Sequence, residues 1–424
     1  REEIEILYGR GDGTFEDPQS LPAREGVASL SVGDFNLDGH QDVAVLEDGD
    51  NARSTLNGKI LWGAGGRAFL TQGQYPTGEN PIDLATADFD GDGVSDLVTA
   101  DADARSFSLL LGNGDGTFAD PQAHTLPAKP TAIVAGDLDG DGNADVAVAH
   151  DGTFNNTKLF LGRGNGTFEE PTGITTGQNT VFLTLLDLDG DGHLDLLAAN
   201  RSANTADCGN QVFIGDLAIL YGRGGGAFLP PRFLTAGENP AAVTAADLDG
   251  DGRRDLVVVG KGCNDEGGGA AVLLATGDRD FADAVFFETG QAPAAVIAHD
   301  LDLDGTIDLA TANTFSHDVT FLSGRGDGTF RPPIRFAVGL EPRDLALVDA
   351  DLDGRPDLVT ANFDSSDLSV LLNDGGEGVF LSERRFAAGR GSGALSTADF
   401  DGNGRPDLAT ADARLDRVSI LLHP

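Results

Sequence analysis

The stretch DLDGDGNAD, residues 137–145, sets aspartates at positions 1, 3, 5 and 9 (Asp137, Asp139, Asp141 and Asp145) and a glycine, Gly142, at position 6. Carboxylates this close repel one another unless a cation sits among them. A hard ion such as Ca²⁺ takes about six to eight oxygens at roughly 2.3–2.6 Å. A loop that turns alternate side chains inward supplies most of them, and the glycine permits a turn that a Cβ resists. The ligands expected are the side chains at positions 1, 3, 5 and 9 and the carbonyl at 7, with water completing the shell. An EF-hand needs a bidentate Glu at position 12 and flanking helices. Position 12 here is Val148, and the flanks TAIVAG and DVAVAH read as strands.

The loop occurs eight times in all, with 49–60 residues between successive first aspartates. The other ligand sets are Asp34, Asn36, Asp38 and Asp42; Asp88, Asp90, Asp92 and Asp96; Asp187, Asp189, Asp191 and Asp195; and Asp247, Asp249, Asp251 and Asp255. Then follow Asp300, Asp302, Asp304 and Asp308; Asp349, Asp351, Asp353 and Asp357; and Asp399, Asp401, Asn403 and Asp407. Asn36 and Asn403 each remove one charge, so their loops are expected to hold calcium most weakly.

The 424 residues carry a formal net charge of -41. Eight calcium ions would still leave about -25, so the surface stays acidic and nucleic acid is not an expected partner. No apolar run reaches the ~18 residues of a membrane span. The chain starts at Arg1 and contains no Met, as a processed mature form would. Free calcium is scarce in the cytosol and abundant outside, so a secreted or surface location is expected. Sequons stand at Asn155, Asn165 and Asn200, where asparagine also suits a turn.

Around each loop the pattern is one of short strands. In residues 131–180, strand A (TAIVAG) leads through the loop to strand B (DVAVA). A variable linker leads to strand C (TKLFLG), the tight turn RGNGTF follows, and strand D starts near Phe168. Four antiparallel strands repeated at this period describe β-propeller blades. The whole chain, 1–424, is then one all-β domain of eight four-stranded blades, with seven as the alternative.

The core G-D-x-[DN]-x-D-G-x-x-D-[LV] and the following V-x-[LF]-L-x-G-x-G-D-G-T-F resemble the FG-GAP/VCBS repeat. The resemblance spans the chain and implies the calcium-binding propeller of integrin α subunits and many bacterial surface proteins. LVTADA and LLAANR stand where integrins carry the GAP signature, so the likeness is to the bacterial type.

Other motifs yield to this frame. RGD at residues 10–12 and 325–327 fills the C–D turn, where Gly and Asp are turn chemistry. GRGGGA (222–227) lacks the helix a dinucleotide fingerprint opens. Carboxylates inside calcium loops stay ionised, the reverse of a general acid's need. The ends of the B strands (Asp101, His150, Asn200, Asn313, Asn362 and Asp412) either ring a ligand site or cap turns. Cys208 and Cys263 lie in B–C linkers of adjacent units, which places them for a disulfide.

The expected function is non-catalytic binding, adhesion or surface assembly, with a protein or glycan ligand on the face opposite the calcium loops. Two alternatives stand beside it. One is a lectin or polysaccharide lyase, because propellers resembling this one occur among polysaccharide lyases; the other is a filament or sheath subunit. At the termini there is one C strand too many (nine C against eight each of A, B and D). The expectation is that Phe15–Pro22 completes the blade begun at Ala394. The surplus strand would add a fifth, stay loose or pair with another molecule.

Overall fold

The computed structural model describes residues 3–8, 19–22, 27–47, 58–63, 69–115, 117–152, 156–201, 216–237, 239–261, 268–277, 279–375, 380–387, 392–398, 407–412 and 417–422. Every regular element among them is a β-strand. The repeat around Asp137 shows how the sequence directs this. Pro130–Gly136 and Asp145–His150 flank the acidic loop and pair antiparallel, with Gly136 opposite Asp145. Thr157–Phe160 and Thr172–Ile174 complete a sheet in the order A-B-C-D. Strand B is buried throughout, strand A about half, and strand D faces solvent. Strand D starts later than the sequence suggests. Phe168 makes only an isolated bridge with Gly162, and strand D begins at Thr172.

Seven such sheets have four strands each, so the fold is an all-β propeller with seven regular blades. The first strands of successive sheets lie side by side and form the inner wall. A further sheet departs from the expected four strands. It runs Ser392–Ala398, Asp407–Asp412, Arg417–Leu422, Glu3–Tyr8, Gln19–Pro22. Glu3–Tyr8 inserts parallel to Arg417–Leu422, with Glu5 opposite Ser419, and Gln19–Pro22 is pushed out to fifth place. Two C-type strands share this sheet because each satisfies a backbone edge that the other would leave open.

The core lies between sheets. Phe89, Val98 and Phe107 pack on Ile133, Val146 and Phe160 of the next sheet, while Leu97 points the other way toward Phe35, Leu46 and Ile60. The period-2 alternation of each strand thus serves two interfaces. Two carboxylates also tie inner strands across blades. Asp83 accepts from Ile133 N at 3.0 Å, and Asp344 from Leu395 N at 2.7 Å. Desolvation pushes Asp83 up to about 6 and raises Asp344 as well.

Candidate metal centres

Each acidic loop is folded by its own carboxylates. In the loop beginning at Asp137, Oδ1 of Asp137 accepts from Gly140 N and Asp141 N at 2.7 and 3.1 Å, and Oδ2 from Gly142 N at 3.0 Å. Asp139 Oδ1 accepts from Asp141 N at 3.0 Å, and Asp141 Oδ1 from Asn143 N at 2.8 Å. The same bonds recur with small changes in the other described loops. These bonds curl the chain so that carboxylates converge.

Position 4 of the loop is left-handed in every described copy. Glycine fills it at Gly91, Gly140, Gly190 and Gly250, but Leu37, Leu303 and Leu352 hold φ of 55°, 58° and 61°. A left-handed L-residue costs about 1–2 kcal/mol, and Leu303 is largely exposed, so little packing is lost with its side chain. Leu303→Gly should therefore stabilise the protein by up to ~1 kcal/mol, after the extra unfolded-state freedom of glycine. A urea-unfolding midpoint at or below that of the wild type would show that no strain is stored there.

Position 9 has a second role that its spacing alone does not reveal. Asp145 is fully buried; Oδ2 accepts from Leu138 N and Asp139 N at 2.8 and 3.2 Å, and Oδ1 from Gly162 N at 2.6 Å. It straps the loop to the C–D hairpin. Asp96, Asp195, Asp255, Asp308 and Asp357 make the same pair of ties, and Asp42 accepts from Phe35 N. A Cβ on Gly162 would lie 2.1 Å from Ala144 O, so glycine is what allows this close approach. The readable signal was that position 9 opens strand B, whose residues are apolar on both faces, so its side chain must turn inward.

Burial raises these straps far above ordinary carboxylates. Asp96 and Asp357 are pushed up to about 7, and Asp145, Asp195 and Asp308 to about 6. Backbone N–H groups partly offset the desolvation, and neighbouring aspartate charges add to it. A divalent cation supplies the charge that would bring them down. The donors fit one. Asp88, Asp90 and Asp96 bring carboxylate oxygens within 4.8 Å of one another, and so do Asp137, Asp139 and Asp145. Similar clusters form in the loops at Asp187, Asp247 and Asp300. Asp351 Oδ1, at position 3 of the loop from Asp349, is buried without a hydrogen-bond partner among the described residues. An all-oxygen set suits a hard ion of the calcium or magnesium kind. Asn36 still presents Oδ1 to its loop, where it accepts from Asp38 N at 3.0 Å.

The remaining sequence candidates divide. Among the described strand-B ends, Asp101, Asn200, Asn313 and Asn362 are buried and bonded internally, His150 is buried with Nε2 unpartnered, and the side chain of Asp412 lies outside the described residues. Asn313 Nδ2 donates to Asp318 Oδ1 and Thr320 Oγ1, Asn362 Nδ2 to Asp367 Oδ1 and Ser369 Oγ, and Asp101 accepts from Thr99 and Ser108 hydroxyls. Asp101, Asn313 and Asn362 thus bond to their own hairpins. The RGD at 325–327 lies in a hairpin where Asp327 Oδ1 accepts from Thr329 N and its hydroxyl, at 3.0 and 2.6 Å. Cys208, Cys263, Asn155, the RGD at 10–12 and the ligands Asp399, Asp401 and Asn403 lie outside the described residues, as does the side chain of Asp407. Among the described residues, no helix is long and apolar enough to cross a membrane.

A model of FG-GAP-like repeats matches residues 1–45, 35–99, 88–148, 137–198, 205–258, 249–311, 300–360 and 349–410. The chain belongs to the FG-GAP-like repeat family. Several of these FG-GAP-like units start on the first aspartate of one loop and end just past the next. The sequence unit therefore straddles two blades, and the loops are its landmarks. No curated protein matches the chain. Among solved structures, the FG-GAP-like chain is similar to an Agrocybe aegerita lectin that recognises non-reducing terminal N-acetylglucosamine. Their TM-score is 0.50 at 19% identity, covering 97% of this chain and 100% of that one. Hydrazine synthase of Kuenenia stuttgartiensis matches with TM-score 0.50 at 13% identity, over 78% and 92% of the two chains. A rhamnogalacturonan lyase matches with TM-score 0.46 at 13% identity, over 95% and 91%. At these identities the likeness is one of fold.

Proposed function

We propose that this chain is a calcium-stiffened, non-catalytic binding or surface-assembly module of the cell exterior. One observation carries the proposal. The same acidic loop is built seven times among the described residues, at Asp34, Asp88, Asp137, Asp187, Asp247, Asp300 and Asp349. In each, the deepest carboxylate is committed to backbone N–H groups. An active site is a single constellation with a tuned proton, whereas repeated cages are framework. Calcium at up to eight such sites, through the side chains at positions 1, 3, 5 and 9, neutralises carboxylates that otherwise repel. The abundance of calcium outside cells favours a secreted or surface location.

The ligand face is the rim opposite the loops. There the B–C turns bond to the preceding D–A links, as Ala102 N does to Asn80 O and Phe363 N to Glu341 O. The long linkers at 47–59, 200–216 and 260–270 join strand B to strand C in the sequence, as those turns do, and lie largely outside the described residues; loops on a rigid scaffold are where recognition concentrates. A glycan is the ligand class favoured by the Agrocybe aegerita lectin, whose likeness spans nearly all of both chains. The five-stranded sheet acts as an eighth blade that closes the ring, and its edge strand Gln19–Pro22 offers a route to self-association. A disulfide between Cys208 and Cys263 would pin two of the linkers together.

Incubated in calcium with a panel of polysaccharides, the protein should retain a bound glycan, or form ordered assemblies visible by electron microscopy, and leave the polymers uncut. Release of unsaturated oligosaccharides would make it a lyase and overturn the non-catalytic assignment.

A further inference from the structure

The loop beginning at Asp187 differs from its counterparts because a guanidinium already sits on it. Arg279 Nε donates to Asp189 Oδ2, and Arg279 Nη2 donates to Asp191 Oδ2 at 3.0 Å. These are positions 3 and 5 of the loop. The other oxygens of the same carboxylates are engaged too, Asp189 Oδ1 by Asp191 N at 3.2 Å and Asp191 Oδ1 by His193 N at 2.9 Å. Among the described loops no other has one cation joining positions 3 and 5. Of the loop aspartates, Arg253 and Arg355 pair only with the one at position 5, two residues before them, Asp251 at 2.7 Å and Asp353 at 3.0 Å.

Arg279 comes from the next repeat, in the hairpin formed by Ala275–Gly277 and Asp280–Phe281. This hairpin replaces the turn that reads GNGDGTF or GRGDGTF elsewhere. At the matching slot, two residues before the Phe that closes the turn, three described repeats have Gly166, Gly226 and Gly328, with φ of 72°, 66° and 75°; Arg67 stands at this slot in one further repeat and lies outside the described residues. Arg279 occupies the same left-handed region at φ 70°. A long side chain held where the backbone favours glycine points to work done by that side chain. The neighbours seat it. The guanidinium carbon lies 5.1 Å from the centre of the Tyr221 ring, within cation–π range. Arg232 Nη1 donates to the Arg279 carbonyl at 2.6 Å and pairs with Asp280, which fixes the hairpin from below.

The geometry points to Arg279 as a resident cation that takes the place of calcium in the loop beginning at Asp187. The loop gathers its carboxylates as its counterparts do, but its metal is replaced by a charge donated from the adjacent blade. A guanidinium brings one positive charge where calcium brings two. It is tethered, however, so it competes at a fixed high local concentration, and its planar donors suit two carboxylates at once. The inference rests on calcium filling the other loops. It adds that the cages are not equivalent: the interface between the blades of Asp187 and Asp247 is locked by protein alone and keeps its lock when metal is withdrawn.

Calcium bound per chain, counted by elemental analysis after equilibration with excess calcium and desalting, tests this on the intact protein and three variants. Arg279→Gly installs the residue that stands at this slot as Gly166, Gly226 and Gly328 and should bind one ion more than the wild type. Asp189→Ala should bind the same number as the wild type, whereas Asp139→Ala, in an ordinary loop, should bind one fewer. An unchanged count in Arg279→Gly, or the loss of an ion in Asp189→Ala, overturns the role of Arg279 while leaving calcium in the other loops intact. A wild type that binds no calcium overturns both readings. Should Asp189→Ala fail to fold, the count in Arg279→Gly decides alone.

Discussion

Asp145→Ala should cost the calcium-loaded protein about 3–5 kcal/mol, near the upper end of what one substitution does. The carboxylate is fully buried and accepts from three backbone N–H groups, those of Leu138, Asp139 and Gly162. Each buried donor left without an acceptor costs roughly 1–3 kcal/mol, and water entering the cavity recovers part of that. Loss of a calcium ligand adds to the cost. Asp145→Asn should fall between, since one amide oxygen remains and the amide N–H₂ faces a donor. Asp141→Ala removes an exposed carboxylate bonded to Asn143 and should change stability far less. Equal losses for Asp145→Ala and Asp141→Ala in urea would mean that position 9 acts only as a ligand and not as a strap.

The second large effect is a pH dependence that appears only without calcium. Five strap carboxyls, those of Asp96, Asp145, Asp195, Asp308 and Asp357, sit at about 6 to 7 in the fold against an unfolded value of 3.8. Between these values the metal-free fold holds more protons than the unfolded chain, so stability must fall as pH rises. The stabilisation is complete below about pH 4 and is lost on passing through pH 6–7. One pH unit is worth about 1.4 kcal/mol per group. Even after a heavy discount for solvent screening at the loop mouths, the five together rival a net stability of ~5–15 kcal/mol. In chelator the urea midpoint should therefore drop steadily from pH 4.5 to 7.5. Calcium, which favours the ionised form, should flatten or reverse the slope. A midpoint that rose with pH in chelator would mean that the straps titrate as ordinary surface carboxylates.

The loops were legible because residue type and spacing carry them. Asp at positions 1, 3, 5 and 9 with Gly at 6 names both the chemistry and the turn, and repetition named the fold. The strap role of position 9 was half hidden, since its partners Leu138 and Gly162 lie on either side of a loop and a strand. What stayed hidden is non-local. Arg279 meets Asp189 across ninety residues, and nothing near RDF in the sequence announces an acidic partner. The clasp from Asp83 to Ile133 spans two repeats in the same way. The strand-B ends left two meanings open, and contacts supply what the pattern could not: the T-A-N residues at Thr311–Asn313 bond to their own hairpin. The junction of the termini depended on strand counting, which cannot say whether a surplus strand inserts or stays at the edge.

Thermal unfolding at neutral pH, in calcium and then in chelator with metal removal verified by elemental analysis, tests the central claim most directly. A ligand at about a thousand times its Kd adds roughly 4 kcal/mol per site, and a chain of this size shifts by ~2–4 °C or somewhat less per kcal/mol. Several filled loops should therefore lower the melting temperature by more than about 10 °C on chelation, and restored calcium should return it. The same melting temperature in metal-free protein would mean that the acidic loops hold themselves together and that calcium is not part of the framework.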